Sequence, residues 1–173
     1  SKMKTVAIIG QGYVGLTISA FAAKSYQVIG FDNSQKVADQ LNLGISHIEG
    51  VDSSSIKAAI TAGTYRASSR GRDISDAEIV VIAVPTPLDS NRNPDLSYLM
   101  SACEIVGKHL QVEALVINES TSFPGTLRNI ISKQISELSN KEHLYAVSPE
   151  RVDPGNRDWK IDNTPRIISG LTD

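Results

Sequence analysis

Cysteine is almost missing from the chain: Cys103 stands alone, so no internal disulfide can form, which fits a reducing cytoplasm. No apolar run is long enough to cross a bilayer, and the short one near the N-terminus lacks signal-peptide character. Charge of one sign is missing too. Seventeen basic and 19 acidic side chains leave a formal net charge of −2, which gives no basic field for nucleic acid, and no Lys/Arg block suggests a membrane surface. His47, His109 and His143 have no metal-ligand spacing, so no metal is assigned. Internal repeats and low-complexity tracts are also absent. What remains is 173 residues of ordinary globular composition, enough for a sizeable core in one domain or one domain plus a fragment. Ser1-Lys2 ahead of Met3 read as a cloning remnant, so the domain is taken as residues 3–173.

The informative stretch is Lys4-Thr-Val-Ala-Ile-Ile-Gly-Gln-Gly-Tyr-Val-Gly15. An apolar run enters Gly10-Gln11-Gly12-Tyr13-Val14-Gly15, and helical spacing follows. That order is the dinucleotide-binding fingerprint. Gly10 allows the tight turn, Gly12 admits a pyrophosphate to the backbone, and Gly15 permits close packing of helix on strand. The first helical turn then presents free N–H groups and the positive dipole end to the phosphates. A second apolar run, Gln27-Val-Ile-Gly-Phe-Asp32, ends in a carboxylate about twenty residues past the first glycine. A carboxylate there accepts from adenosine ribose hydroxyls and repels a 2′-phosphate, which favours NAD over NADP.

The rest of the chain alternates in the same way. A helix is predicted over 14–24 with Leu16, Ala20 and Ala23 facing the sheet. Another follows Asn33 or Ser34, with Val37, Ala38, Leu41 and Leu43 on its apolar face and Gly44 at its end. Residues 45–50 read as loop, 53–62 as helix, 64–67 as a short strand and 68–76 as polar linker. The run 77–84 has the continuous apolar character of a strand buried on both faces, and Pro85 and Pro87 terminate it. Asp95 caps a helix carrying Leu96, Leu99, Met100, Cys103 and Val106. Strands are predicted at 114–117 and 143–147, a helix at 126–138, and a last apolar run at 165–170. The fold class is α/β: a Rossmann-type doubly wound parallel sheet of about six to eight strands, with helices on both faces. The abrupt end three residues after an apolar run suggests a truncated chain.

In that arrangement the polar motifs leave the carboxyl ends of strands, where such sheets bind ligands. Val84-Pro85-Thr86-Pro87 follows the fourth strand, Asn118-Glu-Ser120-Thr121 the fifth, and Ser148-Pro-Glu150-Arg151 the sixth. Thr86 and Thr121 offer hydroxyls, Glu150 a carboxylate, and Arg151 a guanidinium suited to a phosphate or a sugar hydroxyl. Plainer roles stand beside these. Thr86 suits a turn, Thr121 a helix cap, and Glu150 with Arg151 a solvated ion pair. Cys103, on an apolar helical face without a His or Asp neighbour, reads as a core thiol.

Gly10-Gln-Gly-Tyr-Val-Gly-Leu16, Val84-Pro-Thr-Pro-Leu88, Glu119-Ser-Thr121 with Pro124-Gly-Thr126, and Ser148-Pro-Glu-Arg-Val-Asp-Pro-Gly155 together resemble the nucleotide-sugar 6-dehydrogenases. The Ser-Pro-Glu-Arg segment, with Gly44-Ile-Ser-His-Ile48 upstream, is more similar to the branch acting on UDP-N-acetylglucosamine or UDP-N-acetylmannosamine than to UDP-glucose 6-dehydrogenase. The resemblance implies an NAD-dependent four-electron oxidation of the sugar C6 alcohol to a carboxylate, through an enzyme-bound aldehyde and a thiohemiacetal. It also implies a UDP-sugar substrate, a homo-oligomer in full-length form, and a place in polysaccharide biosynthesis. By position, Gly10, Gln11, Gly12, Tyr13, Val14, Gly15, Asp32, Lys36, Val84, Pro85, Thr86, Ser120 and Thr121 would hold the cofactor. Thr121 would also help position a catalytic water, Glu150 would serve in acid/base work or water activation, and Arg151 would join it on the substrate side.

The family's catalytic cysteine lies in a glycine-rich motif well downstream, which this chain lacks, and Cys103 does not stand in it. The expectation is therefore the N-terminal NAD-binding domain of a longer enzyme, without the linking helix and the UDP-sugar-binding C-terminal domain. Such a chain binds NAD but does not finish the oxidation alone. Two other readings fit the fingerprint: another dehydrogenase with the same type of N-terminal domain, such as a 6-phosphogluconate or 3-hydroxyacid dehydrogenase, and a non-catalytic NAD sensor.

Overall fold

A computed structural model describes residues 3–119 and 124–147. Six strands form one parallel sheet: β1 (Thr5–Ile9), β2 (Gln27–Phe31), β3 (Tyr65–Ser68), β4 (Ile79–Ile82), β5 (Leu115–Asn118) and β6 (Leu144–Val147), in spatial order β3-β2-β1-β4-β5-β6. That is the order expected of two mononucleotide-binding halves joined between β1 and β4. The strands are linked by α1 (Tyr13–Ala22), α2 (Gln35–Asn42), α3 (Ser53–Thr61), α4 (Ser97–His109) and α5 (Pro124–Leu138). The doubly wound parallel sheet, expected with about six to eight strands, has six among the described residues. The apolar run predicted at 165–170 lies outside the described residues.

The alternation of side chains along each strand divides the apolar residues between two cores. Val6 and Ile8 of β1 join Leu16, Ile18, Leu41 and Ile56 on one face. Ala7 and Ile9 join Leu99, Cys103, Val106, Ile131 and Ile135 on the other. A strand with helices on both sides can have no polar face, which is why β4 (Ile-Val-Val-Ile) is buried throughout.

Helix ends follow local chemistry. The Ser34 hydroxyl accepts from the Val37 N–H at 3.2 Å and starts α2, while Gly44, at φ +80°, terminates it. α3 starts at Ser53, as expected, and is capped by Asp52, which accepts from Ser54 N–H at 2.9 Å. Asp95 accepts from Ser97 N–H at 2.9 Å at the head of α4, as expected.

Three packing expectations are corrected. Leu43, placed on the α2 apolar face, is 71% exposed, because the helix ends at Asn42 and the chain turns Leu43 out. Met100, placed toward the core, is exposed, and Ala102 packs inward instead. Residues 68–76 are not featureless linker: Gly71–Ile74 form a 3₁₀ turn that buries Ile74 completely. Burying one isoleucine is worth about 1.5–3 kcal/mol, enough to pin an otherwise polar segment.

Candidate functional site

The site grows from the end of β1. Gly10 adopts φ +96° and donates its N–H to the Phe31 carbonyl at 2.8 Å, so the turn is stitched to β2 as it leaves the sheet. A Cβ on Gly10 would sit 2.8 Å from the Ala83 carbonyl oxygen, so β4 also demands glycine here. Gly15 is buried against the Gly10 carbonyl group, whose carbon would lie 2.8 Å from an added Cβ. Gly12 differs: nothing lies within 4 Å of where its Cβ would be. Its glycine leaves clear space beside the N-terminus of α1, as a diphosphate approaching the backbone requires.

Asp32 is half-buried at the end of β2. Its Oδ2 accepts from the Gln11 backbone N–H at 3.1 Å and its Oδ1 from Ser34 N–H at 2.9 Å. Its own N–H donates to Ser68 carbonyl at 3.0 Å, tying it to β3. Both carboxylate oxygens therefore have a fixed orientation, and each keeps acceptor capacity toward the cleft.

Two hollows flank Gly12. One, of about 300 Å³, is lined by Gly10, Gln11, Gly12, Asp32, Asn33 and Tyr98, among others. The second, of about 410 Å³, is lined by Gly12, Tyr13, Val14, Thr86, Pro87 and Glu119, among others. Gly12, Ala83, Val84 and Pro85 line both, so they meet along one wall. A dinucleotide whose diphosphate lies at Gly12 would have its adenosine on the Asp32 side and its nicotinamide on the Thr86 side. The open space at Gly12, the free N-terminus of α1 and the oriented carboxylate all fit such a group.

The structure thus brings Gly10, Gln11, Gly12, Tyr13, Val14, Asp32, Val84, Pro85 and Thr86 to the walls of one cleft. Gly15 supports the turn from behind, and Lys36 is exposed in the first turn of α2. Ser120, Thr121, Glu150 and Arg151 lie outside the described residues. Gln11 takes an unexpected form, with its side chain turned away from the cleft and fully buried. Glu119, quoted in the sequence only as part of a motif, is 7% exposed, lines the second hollow and donates its N–H to Ile82 carbonyl at 2.8 Å. A carboxylate directly after an apolar strand was the signal for it. Cys103 is buried within α4, and burial pushes its thiol up to about 12, far from nucleophilic range. No group of three or more His, Cys, Asp or Glu suited to a metal ion occurs among the described residues.

A family model described as the NAD binding domain of the UDP-glucose/GDP-mannose dehydrogenase family matches residues 4–173. The UDP-N-acetyl-D-glucosamine 6-dehydrogenase of Pseudomonas aeruginosa is 32% identical over 172 residues, 96% of this chain and 40% of its own. The UDP-N-acetyl-D-mannosamine dehydrogenase of Escherichia coli K12 is 36% identical over 182 residues, 97% of this chain and 42% of its own. A crystal structure of a ternary complex of GDP-mannose dehydrogenase from Pseudomonas aeruginosa superposes with a TM-score of 0.78 at 26% identity. It covers 86% of this chain and 36% of that one. The chain spans about 40% of the length of the curated relatives it matches.

Proposed function

This chain belongs to the UDP-glucose/GDP-mannose dehydrogenase family as its NAD-binding domain, and we propose that it serves a longer enzyme that oxidises the C6 alcohol of a UDP-N-acetylhexosamine to the uronic acid with two NAD. The sugar is UDP-N-acetylglucosamine or UDP-N-acetylmannosamine. The observation that carries this reading is the run Ser148-Pro-Glu-Arg-Val-Asp-Pro-Gly155 after β6. It stands in chain order behind a glycine turn and a Pro-Thr-Pro segment that line one cleft. Relatives named for both N-acetylhexosamine substrates match the chain along nearly its whole length.

In this reading Asp32 accepts hydrogen bonds from the adenosine ribose, with Lys36 nearby. Gly10, Gly12 and the N-terminus of α1 receive the diphosphate. Val14, Val84, Pro85 and Thr86 shape the wall at the other half of the cofactor. Bound NAD supplies the hydride acceptor for the C6 alcohol. Ser120 and Thr121, next after Glu119 in the sequence, contact the cofactor, and Thr121 orients a water. Glu150 moves the protons that alcohol oxidation and the final hydrolysis require, and Arg151 holds the substrate side. The cysteine of the second half-reaction, the linking helix and the rest of the sugar-nucleotide site belong to chain beyond these 173 residues. A cytoplasmic, homo-oligomeric enzyme feeding polysaccharide synthesis completes the proposal. No described helix is long and apolar enough to cross a membrane.

The test expresses the reading frame past Asp173 to its natural stop and follows NADH absorbance with UDP-glucose, UDP-N-acetylglucosamine and UDP-N-acetylmannosamine. Two NADH per N-acetylhexosamine is the expected result, because alcohol to acid takes two hydride transfers. Turnover of UDP-glucose alone would move the chain to the other branch. NAD binding without turnover of any of the three would overturn the substrate assignment.

A further inference from the structure

The second residue of the glycine turn has a side chain that points neither to solvent nor to the cleft. Gln11 is fully buried, and its amide is saturated. Nε2 donates to the carbonyls of Ile8 at 3.3 Å and Gly10 at 3.1 Å. Oε1 accepts from the Ser19 hydroxyl of α1 at 3.1 Å and from the Tyr65 hydroxyl of β3 at 2.8 Å. Room for this arrangement comes from Gly30 in the middle of β2, where a Cβ would overlap Gln11 Oε1 and stand 2.7 Å from the Tyr65 oxygen. A glycine inside a strand marks such a close approach.

The main chain of the same residue holds Asp32, through Gln11 N–H to Oδ2. Rotation of the Gln11 peptide would swing that donor away from the carboxylate, and the anchored amide prevents it. Tyr65 is 4% exposed and lies outside the hollow that Asp32 lines. Burial first, and then the Asp32 charge, raise its hydroxyl above the ordinary tyrosine value, so it remains a donor.

We propose that Tyr65, acting through the buried Gln11 amide, is a positioning residue for the adenosine half of NAD, fixing the Asp32 carboxylate in its ribose-accepting orientation from outside the cleft. This rests on Asp32 being the ribose acceptor. The hydroxyl touches no cofactor atom. Its work is to keep the carboxylate already oriented when NAD arrives, so that binding does not spend free energy on ordering it.

A double-mutant cycle on NAD affinity, measured by calorimetric titration of the 173-residue chain, tests the inference. Tyr65→Phe keeps the ring and removes the hydroxyl. Loss of one neutral hydrogen bond should weaken NAD roughly three- to tenfold. In the Asp32→Ala background, which itself binds NAD more weakly, the same change should have no further effect. A purely structural Tyr65 would instead lower the melting temperature and weaken NAD equally in both backgrounds. Ser19→Ala removes the other hydroxyl on Oε1 and is run in the same cycle, so a poorly folding Tyr65→Phe does not end the test. If Asp32→Ala weakens NAD while Tyr65→Phe and Ser19→Ala leave it unchanged, or add fully to it, the inference falls and the ribose assignment stands. If Asp32→Ala leaves NAD affinity intact, both fall.

Discussion

Asn42 pairs with Ala67 as a neighbouring strand would: its Nδ2 donates to the Ala67 carbonyl at 2.9 Å, and its Oδ1 accepts from the Ala67 N–H at 2.8 Å. β3 is the outer strand of the sheet, and these two bonds occupy backbone groups that an edge would otherwise offer to another chain. The last residue of α2 thereby closes one side of the sheet.

Asn42→Ala should therefore cost about 1–3 kcal/mol of stability, the penalty for leaving one backbone donor and one acceptor without their partners. Urea denaturation reads the loss directly. An unchanged midpoint would mean that water replaces the amide without penalty.

The three turn glycines should separate under substitution. Gly12→Ala meets nothing within 4 Å, so it should melt as the parent does, yet weaken NAD by tenfold or more because the methyl stands where the diphosphate must come. Gly15→Ala drives a Cβ into the Gly10 carbonyl group, so it should lose melting temperature as well as NAD. Thermal melts paired with NAD titrations distinguish the two; equal stability loss in both would refute the distinction.

His143 gives the fold a pH dependence of predictable sign. Its Nδ1 accepts from Ala114 N–H at 3.1 Å, which places the ring proton on Nε2, 2.9 Å from the Ser139 hydroxyl oxygen. Adding a proton to Nδ1 would set two N–H groups against each other. Desolvation lowers the pKa of this ring, against an opposing pull from Glu113. The folded state thus binds protons less readily than the unfolded chain. Its contribution is complete above about pH 6.5 and is lost as pH falls below that value, until the folded ring also titrates. Denaturation midpoints should fall as pH drops from 6.5 toward 5. His143→Asn, which keeps an acceptor for Ala114, should flatten that slope.

Cys103 should be silent in the folded chain. Its thiol is fully buried and pushed up to about 12, so a disulfide reagent at neutral pH should label it only as fast as the protein opens. Rapid stoichiometric labelling of native protein would contradict the packing of α4.

The parts of the site legible in the sequence are those whose chemistry is written at short range. Gly10, Gly12 and Gly15 follow one strand within six residues, and Asp32 ends the next, so their roles could be read from spacing. Gln11 could not, because its burial depends on Tyr65, 54 positions away, and on a helix residue facing inward. Gly30 was the available clue, a strand glycine with no turn to justify it. Ile74 escaped for the opposite reason: one apolar residue amid a polar stretch has no periodicity, and only the core it plugs gives it meaning. Leu43 misled because helical spacing continued one residue past the helix. The roles of Thr121, in positioning a water, and of Glu150, in acid/base work, rest on motif resemblance rather than on geometry.

The division of β1 between two cores has a mechanical result for the turn it carries. Val6 and Ile8 are clamped by one helical layer, and Ala7 and Ile9 by the other. Neither layer can peel away without dragging the strand that ends at Gly10. The phosphate-facing turn is thus mounted on the seam of the molecule. The Gly10 amide proton, held by the Phe31 carbonyl, should exchange with solvent only on global opening, and loosening the base of the turn means unfolding the domain.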